Sequence, residues 1–160
     1  GKTPSDCLEA ISLYPFDLIQ VNFSLVDQRM LEIGLLDCCQ DLGIGIVGRT
    51  PLCFGFLTGK YSSETKFDSN DHRSRWGEKQ IELWLNGFEK FRGAFMKKYT
   101  GTQLALKYCL TYPISSTIPG MINVSHVKEN IYSVREKYLE EDALSKIDEL
   151  YKNSFFFNSH

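Results

Sequence analysis

Residues 43–60 read GIGIVGRTPLCFGFLTGK, and the architecture turns on how this stretch divides. Ile44, Gly45, Ile46 and Val47 form a short apolar run bounded by glycines, the pattern of a buried strand. From Gly48 to Lys60 the pattern breaks: these thirteen residues hold three glycines, one proline and two cations. They read as a plain surface loop or as a cradle for something negatively charged. Upstream, Met30, Leu31, Ile33, Leu35, Leu36 and Cys39 trace a helical stripe that opens at Asp27 and ends near Leu42 and Gly43. Before it, residues 16–23 (FDLIQVNF) are rich in β-branched and aromatic side chains and predict another strand. Strands alternating with a helix call for a parallel sheet.

Further out, the same alternation continues. Thr3 is a good N-cap, Pro4 suits the first helical position, and Asp6 favours the positive helix end. Leu8, Ile11 and Leu13 then give a short amphipathic helix closed by Pro15. Beyond Lys60, a polar loop runs from Tyr61 through Asp71, His72, Arg73 and Ser74. Trp76, Ile81, Leu83, Trp84, Leu85 and Phe88 predict a helix that gives way to Gly93. Residues 102–110 predict another, stopped before Pro113, and residues 115–118 a short strand ending in Pro119 and Gly120. Asn123 caps a helix reaching about Arg135, and a last helix spans 140–151. Residues 153–160 (NSFFFNSH) form a tail whose three aromatics favour docking on the body over exposure to water.

At 160 residues the chain fits one domain, long enough to bury roughly two-thirds of its unfolded surface. Hydrophobic residues make up 42% and charged residues 24%, the composition of a globular protein. A net charge of −2 gives no electrostatic case for nucleic acid or an anionic membrane surface as the main partner. No apolar run approaches the length of about 20 that spans a bilayer, and no signal-peptide pattern opens the chain. The five cysteines, Cys7, Cys38, Cys39, Cys53 and Cys109, contain no C-x-x-C pair. They read as free, mostly buried thiols in a reducing compartment, which makes a cytoplasmic location the expectation. The opening Gly1, Lys2, Thr3 and Pro4 contain no methionine and run straight into a helix start, as a processed or excised piece would.

In parallel α/β folds the ligand sits beyond the C-terminal ends of the strands. Three such ends are legible: residues 20–22, 49–52 and 119–123, each with polar or backbone-exposing residues. The third leads into a helix N-terminus, where free N–H groups favour a phosphate. Gly55 and Gly59 allow close backbone approach to a ligand. Taken singly, each of these features is an ordinary turn.

Together they carry a resemblance. FDLIQVNFSLVDQR (16–29), GIGIVGRTPLCFGFLTGKY (43–61), DHRS (71–74), QLALKYCL (103–110) and IPGMINVSHVKENI (118–131) are similar to the C-terminal half of an aldo-keto reductase, in that family's order and spacing. The resemblance implies an α/β fold, the C-terminal half of a (β/α)8 TIM barrel over residues 1–152, with about three to four parallel strands and flanking helices, followed by the tail 153–160. It also implies an extended nicotinamide dinucleotide, NADP(H) rather than NAD(H), and an aldehyde, ketone or sugar as the carbonyl substrate. By resemblance, Gln20 holds the nicotinamide carboxamide, a task suited to an amide that donates and accepts at once. Arg49 packs against the nicotinamide ring, where a guanidinium plane can stack. Pro51, Leu52, Gly55, Leu57 and Lys60 belong to the loop folding over the diphosphate. Gly120, Met121, Ile122 and Asn123 form the turn at the adenosine 2′-phosphate, and Glu129 and Asn130 meet the adenine.

Plainer roles stand beside these. Gln20 could be an inward polar residue bridged by water, Lys60 a solvated loop cation, and Glu129 a residue serving the first helical turn. Asp71 and Arg73 read as an ion-paired loop element, and His126 as an exposed helical residue. Neither His126 nor His72 has metal-ligand company. Ile122 stands where relatives commonly place Arg or Lys against the 2′-phosphate, and it brings no charge. The family's catalytic Asp, Tyr, Lys and His belong to strands preceding the matched region, and no catalytic residue is assigned in this chain. Two readings follow. One is the cofactor-binding half of an NAD(P)H-dependent carbonyl reductase, silent alone and expected to pair with an N-terminal half or with itself. The other is a non-catalytic half-barrel module for binding or assembly, with a decayed cofactor site.

Overall fold

The structure, a computed structural model, describes residues 3–95, 97–135 and 138–157. The expectations placed on Gly1, Lys2 and residues 158–160 lie outside these. The chain begins with α1 (Pro4–Leu13), β1 (Leu18–Asn22), α2 (Arg29–Glu32), α3 (Leu35–Asp41) and β2 (Gly45–Arg49). Two 3-10 turns follow, Cys53–Thr58 and His72–Arg75. The remainder is α4 (Glu78–Phe95), α5 (Gly101–Thr111), β3 (Ser116–Ile118), α6 (Val124–Val134) and α7 (Glu141–Lys152). None of the described helices is long and apolar enough to cross a membrane.

Local chemistry sets the helix starts. Thr3 Oγ1 accepts from the Asp6 N–H at 3.2 Å while Asp6 Oδ2 accepts from the Thr3 N–H at 2.9 Å. The pair satisfies two donors that the first helical turn leaves open. Thr100 and Gln103 repeat the arrangement on α5, and Asn123 caps α6 through its Oδ1.

Two elements depart from the sequence pattern. The stripe expected to form one helix from Asp27 forms α2 and α3, separated at Gly34, whose φ is 71°. A left-handed residue interrupts a right-handed helix, and glycine enters that region without a Cβ penalty. Met30, Leu35, Leu36 and Cys39 are nevertheless all buried, so the apolar pattern crosses the break unchanged. Conversely, α4 runs through Gly93 to Phe95. A helical glycine costs only about 1 kcal/mol against alanine, which packing elsewhere on α4 offsets.

The three strands form one parallel sheet in the order β1-β2-β3. Asn22 pairs with Arg49, and Arg49 with Ile118, so the three C-terminal ends lie in a single row. Burial alternates along β1: Ile19 and Val21 enter the core, while Leu18 and Gln20 are exposed. β2 also alternates, with Ile46 and Gly48 buried and Val47 and Arg49 half-buried, rather than being buried on both faces. The reason is that this chain covers one face of the sheet. Ile19, Val21 and Ile46 share a core with Cys7 and Ile11 of α1, Leu35 and Cys39 of α3, and Leu104 and Tyr108 of α5.

Two aromatic groups brace this core. Phe23, Tyr108 and Tyr112 pack together behind the sheet at centroid distances of 5.3–5.4 Å. Phe54 and Phe56 of the glycine-rich stretch pack with Trp76 and Trp84. The tail joins them: Phe156 is buried, stacks on Phe91 and Tyr151, and its carbonyl accepts from Gln80 Nε2 at 2.7 Å. Phe155 faces water. All five cysteines are free, and burial pushes the Cys39 thiol up to about 11, so it is a packing group rather than a nucleophile.

Candidate functional site

The glycine-rich stretch leaves the end of β2 and winds back over the row of strand termini. Its backbone is strained: Thr50, Cys53 and Phe54 have φ of 57°, 45° and 56°. Each such non-glycine residue costs on the order of 1 kcal/mol. Phe56 and Leu57 hold the stretch down by burying in the core. Gly55 takes a φ of 94°, and a Cβ there would sit 3.0 Å from the Tyr61 ring. Glycine is therefore required here twice over, by its positive φ and by the Tyr61 ring packed against it.

Above this stretch lies a cavity of about 350 Å³. Pro51, Leu52, Gly55, Thr58 and Lys60 line one wall, and Gly120, Ile122, His126, Glu129 and Asn130 line the facing wall. Asn130 is 6% exposed, and its Nδ2 donates to the Gly120 carbonyl at 3.4 Å, tying α6 to the turn after β3. Asn123 Oδ1 accepts from the His126 N–H at 2.9 Å and from the Ser125 hydroxyl at 2.7 Å. Across the cavity, Lys60 Nζ stands 3.0 Å from His126 Nε2. The hydroxyl of Thr102, near the start of α5, is buried on the same wall without a hydrogen-bond partner. A cation, an imidazole and a glycine backbone on the cavity walls suit an oxygen-rich anion.

Eight of the thirteen residues expected at a dinucleotide line this cavity: Pro51, Leu52, Gly55, Lys60, Gly120, Ile122, Glu129 and Asn130. The other five lie elsewhere. Gln20 and Arg49 line a separate opening beside Cys7 and Phe16. Leu57 is a core residue, Met121 is exposed, and Asn123 is the cap of α6. Sequence reasoning overlooked Tyr61, Thr102, Arg73 and His126 as cavity residues. His126 is half-buried against Lys60 rather than exposed. A weak signal existed for Tyr61 and Thr102, which directly follow a glycine-rich loop and a helix cap. None existed for His126.

The expected pairing of Asp71 with Arg73 is present and forms the outer rim. Arg73 Nε donates to Asp71 Oδ1 at 2.8 Å, and its two terminal nitrogens donate to Asp71 Oδ2 and the Tyr61 hydroxyl. The guanidinium also lies over the Tyr61 and Phe67 rings, at 4.8 and 4.9 Å. Hydrogen bonds from the Arg73 side chain and backbone hold the Asp71 carboxyl down to about 2. Because that lies below the ordinary value of about 3.9, the pairing contributes fully above that value and is lost as pH falls through about 2. Carbon-detected titration should therefore place the Asp71 midpoint near 2, and Arg73→Gln should raise it only part of the way to the ordinary value, because the backbone N–H of residue 73 still donates to Asp71. A midpoint already at the ordinary value in the unaltered chain would rule out this pairing.

Among the described residues, no group of three or more His, Cys, Asp or Glu is placed to hold a metal. The family model for the aldo/keto reductase family matches residues 3–152. The chain is 31% identical over 153 residues to the aldo-keto reductase yakc of Schizosaccharomyces pombe, whose name specifies NADP(+). That match covers 91% of this chain and 44% of the relative. With the chloroplastic pyridoxal reductase of Arabidopsis thaliana it shares 30% over 138 residues, covering 81% of this chain and 35% of that protein. Among solved structures, the glycerol dehydrogenase of Gluconobacter oxydans superposes with a TM-score of 0.77 at 20% identity, over 99% of this chain and 49% of that one. The holo form of an aldo-keto reductase from Bacillus halodurans gives 0.69 at 20% identity, covering 97% and 49%. The chain thus spans less than half the length of these curated relatives and about half of these solved structures. Its parallel strands and flanking helices are the α/β architecture of part of a (β/α)8 barrel. Matched along nearly all of its own length, the chain belongs to the aldo-keto reductase family.

Proposed function

We propose that this chain is the cofactor-binding half of an NAD(P)H-dependent carbonyl reductase, acting in the cytoplasm on an aldehyde, ketone or sugar. The observation that carries the reading is the single row of strand ends at Asn22, Arg49 and Ile118, overhung by a cavity walled by the glycine-rich stretch and the β3–α6 turn. The Lys60 ammonium and the glycine backbone at Gly55, both on the cavity wall, fit a phosphate-bearing group.

In this reading, the stretch from Pro51 to Lys60 lies along the diphosphate, with Leu57 anchoring it from the core. Gly120, Met121, Ile122 and Asn123 turn around the adenosine ribose, and Glu129 and Asn130 face the adenine. Gln20 meets the carboxamide at the far end, beside Arg49, which flanks the nicotinamide ring. Lys60, beside His126, supplies positive charge that Ile122 does not, and NADP(H) is favoured over NAD(H) where that ammonium also reaches the 2′-phosphate. The bound dinucleotide would supply a hydride; the chain's own residues bind and orient it. Residues 1–152 act as one half-barrel unit and 153–160 as its aromatic tail. The exposed Leu18 and Gln20 on β1 leave a face and an edge that a complementary N-terminal half, or a second copy, would cover. By itself the chain is expected to bind cofactor without turning over substrate.

Titration of the chain with NADPH and NADH, followed by cofactor fluorescence, tests this. Saturable binding should weaken about tenfold in Asn130→Ala and in Gln20→Ala, the loss of one or two hydrogen bonds each. No binding at millimolar cofactor would favour the assembly module instead.

A further inference from the structure

Helix α6 is turned inside out. It packs against α5, and its two buried residues, Asn130 and Ser133, are polar. Both are satisfied within the chain, Asn130 Nδ2 by the Gly120 carbonyl and Ser133 Oγ by the Glu129 carbonyl at 2.7 Å. The apolar side chains of α6 face solvent instead. Val124, Val127, Ile131 and Val134 recur at intervals of three, four and three, the spacing of one narrow stripe along a helix. All four are exposed, Val124 at 70% and Ile131 at 48%. Ile118 at the end of β3 and Met121 in the turn leading into α6 are exposed as well, so the apolar run continues from the strand into the helix. Single apolar side chains on a surface mean little, whereas a continuous stripe beside a polar buried face marks a docking surface.

Charge selects what covers the stripe. Lys128 and Arg135 stand one turn beyond Val124 and Ile131 and edge it with positive charge. Among the described residues, neither forms an ion pair. A second α6 laid on this face would set the same basic edge against itself, which like charges oppose. Helix α1 of another copy offers the opposite sign: it holds Asp6 and Glu9 and no Lys, Arg or His. The two acids share a face with Ala10 and Leu13 at helical spacing, and Leu13 is 65% exposed. Glu9, like the two cations, has no ion-pair partner among the described residues. Within one copy α1 leads into edge strand β1 while α6 follows edge strand β3. A two-fold axis therefore lets each copy's α6 meet the other's α1 in two equal contacts. One helix stripe is small against the roughly 800 Å² per partner that a stable complex buries, and the two-fold arrangement doubles it.

We infer that two copies of this chain associate through reciprocal α6–α1 contacts, the apolar stripe of one lying on the acidic helix of the other. The inference does not depend on dinucleotide binding. Sedimentation velocity of the full chain at micromolar concentration should show a dimer. Lys128→Glu combined with Arg135→Glu should weaken it about tenfold, and Glu9→Lys should do the same. Mixing these two variants should restore the dimer, because both contacts of the mixed pair then bring opposite charges together. Ile131→Glu, in the middle of the stripe, should give a monomer at the same concentration with unchanged circular dichroism. A chain that sediments as a monomer throughout, a dimer that Ile131→Glu leaves intact, or a mixture no tighter than its components overturns the inference; the first of these leaves the stripe to a different polypeptide.

Discussion

Gly101→Ala should lower the unfolding free energy by about 3 kcal/mol, the upper range for forcing extra atoms into a packed interior. Gly101 is the first residue of α5 and is buried. A Cβ there would fall well inside van der Waals distance of the Leu57 carbonyl oxygen, and 2.9 Å from Phe88 Cε2. The Phe88 ring can shift; the Leu57 carbonyl is backbone, held by the buried Phe56 and Leu57 side chains. Relief requires the glycine-rich stretch to lift from α5, which would also distort the cavity lined by Lys60 and Asn130. Gly43→Ala is the natural comparison, because a Cβ at that position meets nothing within 4 Å and the cost is confined to a φ of 68°. That change should cost about 1 kcal/mol. Urea denaturation distinguishes the two, and a smaller midpoint loss for Gly101→Ala than for Gly43→Ala would refute the close contact between α5 and this stretch.

Lys60→Glu should weaken NADPH binding about thirtyfold at low ionic strength, with stability unchanged. Lys60 is exposed, and its ammonium reaches His126 across the cavity rather than a carboxylate. Losing one charge-assisted hydrogen bond to phosphate removes about 2 kcal/mol. Because the site is open to solvent, the penalty should shrink as salt is added. The comparison with NADH locates the contact: equal losses place Lys60 on the shared diphosphate, and a loss confined to NADPH places it on the 2′-phosphate. Unchanged affinity for both would remove Lys60 from the site. The prediction rests on the reductase reading, whereas the Gly101 result does not.

Much of the fold was legible because its signals are short-range. The caps at Thr3 and Asn123 each involve residues within three positions, and the runs at 16–23 and 44–47 carry their own strand pattern. Family motifs marked both walls of the cavity that Lys60 and Asn130 line, because the glycines at 55 and 120 and the Glu129–Asn130 pair lie within those local stretches. The break at Gly34 was not legible, since the buried stripe from Met30 to Cys39 continues across it. Nor was the one-sided burial of β2, which depends on what covers the sheet and not on its own residues.

By itself, the amino-acid order determined the parallel alternation of strands and helices, where the helices are capped, and which stretches lie at the strand ends. Those properties follow from hydrogen-bond patterns and apolar spacing within a turn or a strand. Only the tertiary structure decided that Lys60 meets His126, 66 positions along the chain, that Gln20 and Arg49 line a different cavity from Asn130, and that the indole nitrogens of Trp76 and Trp84 are buried without an acceptor. Contacts between segments so far apart depend on how β2, α4 and α6 are set against one another, and no local pattern encodes that distance.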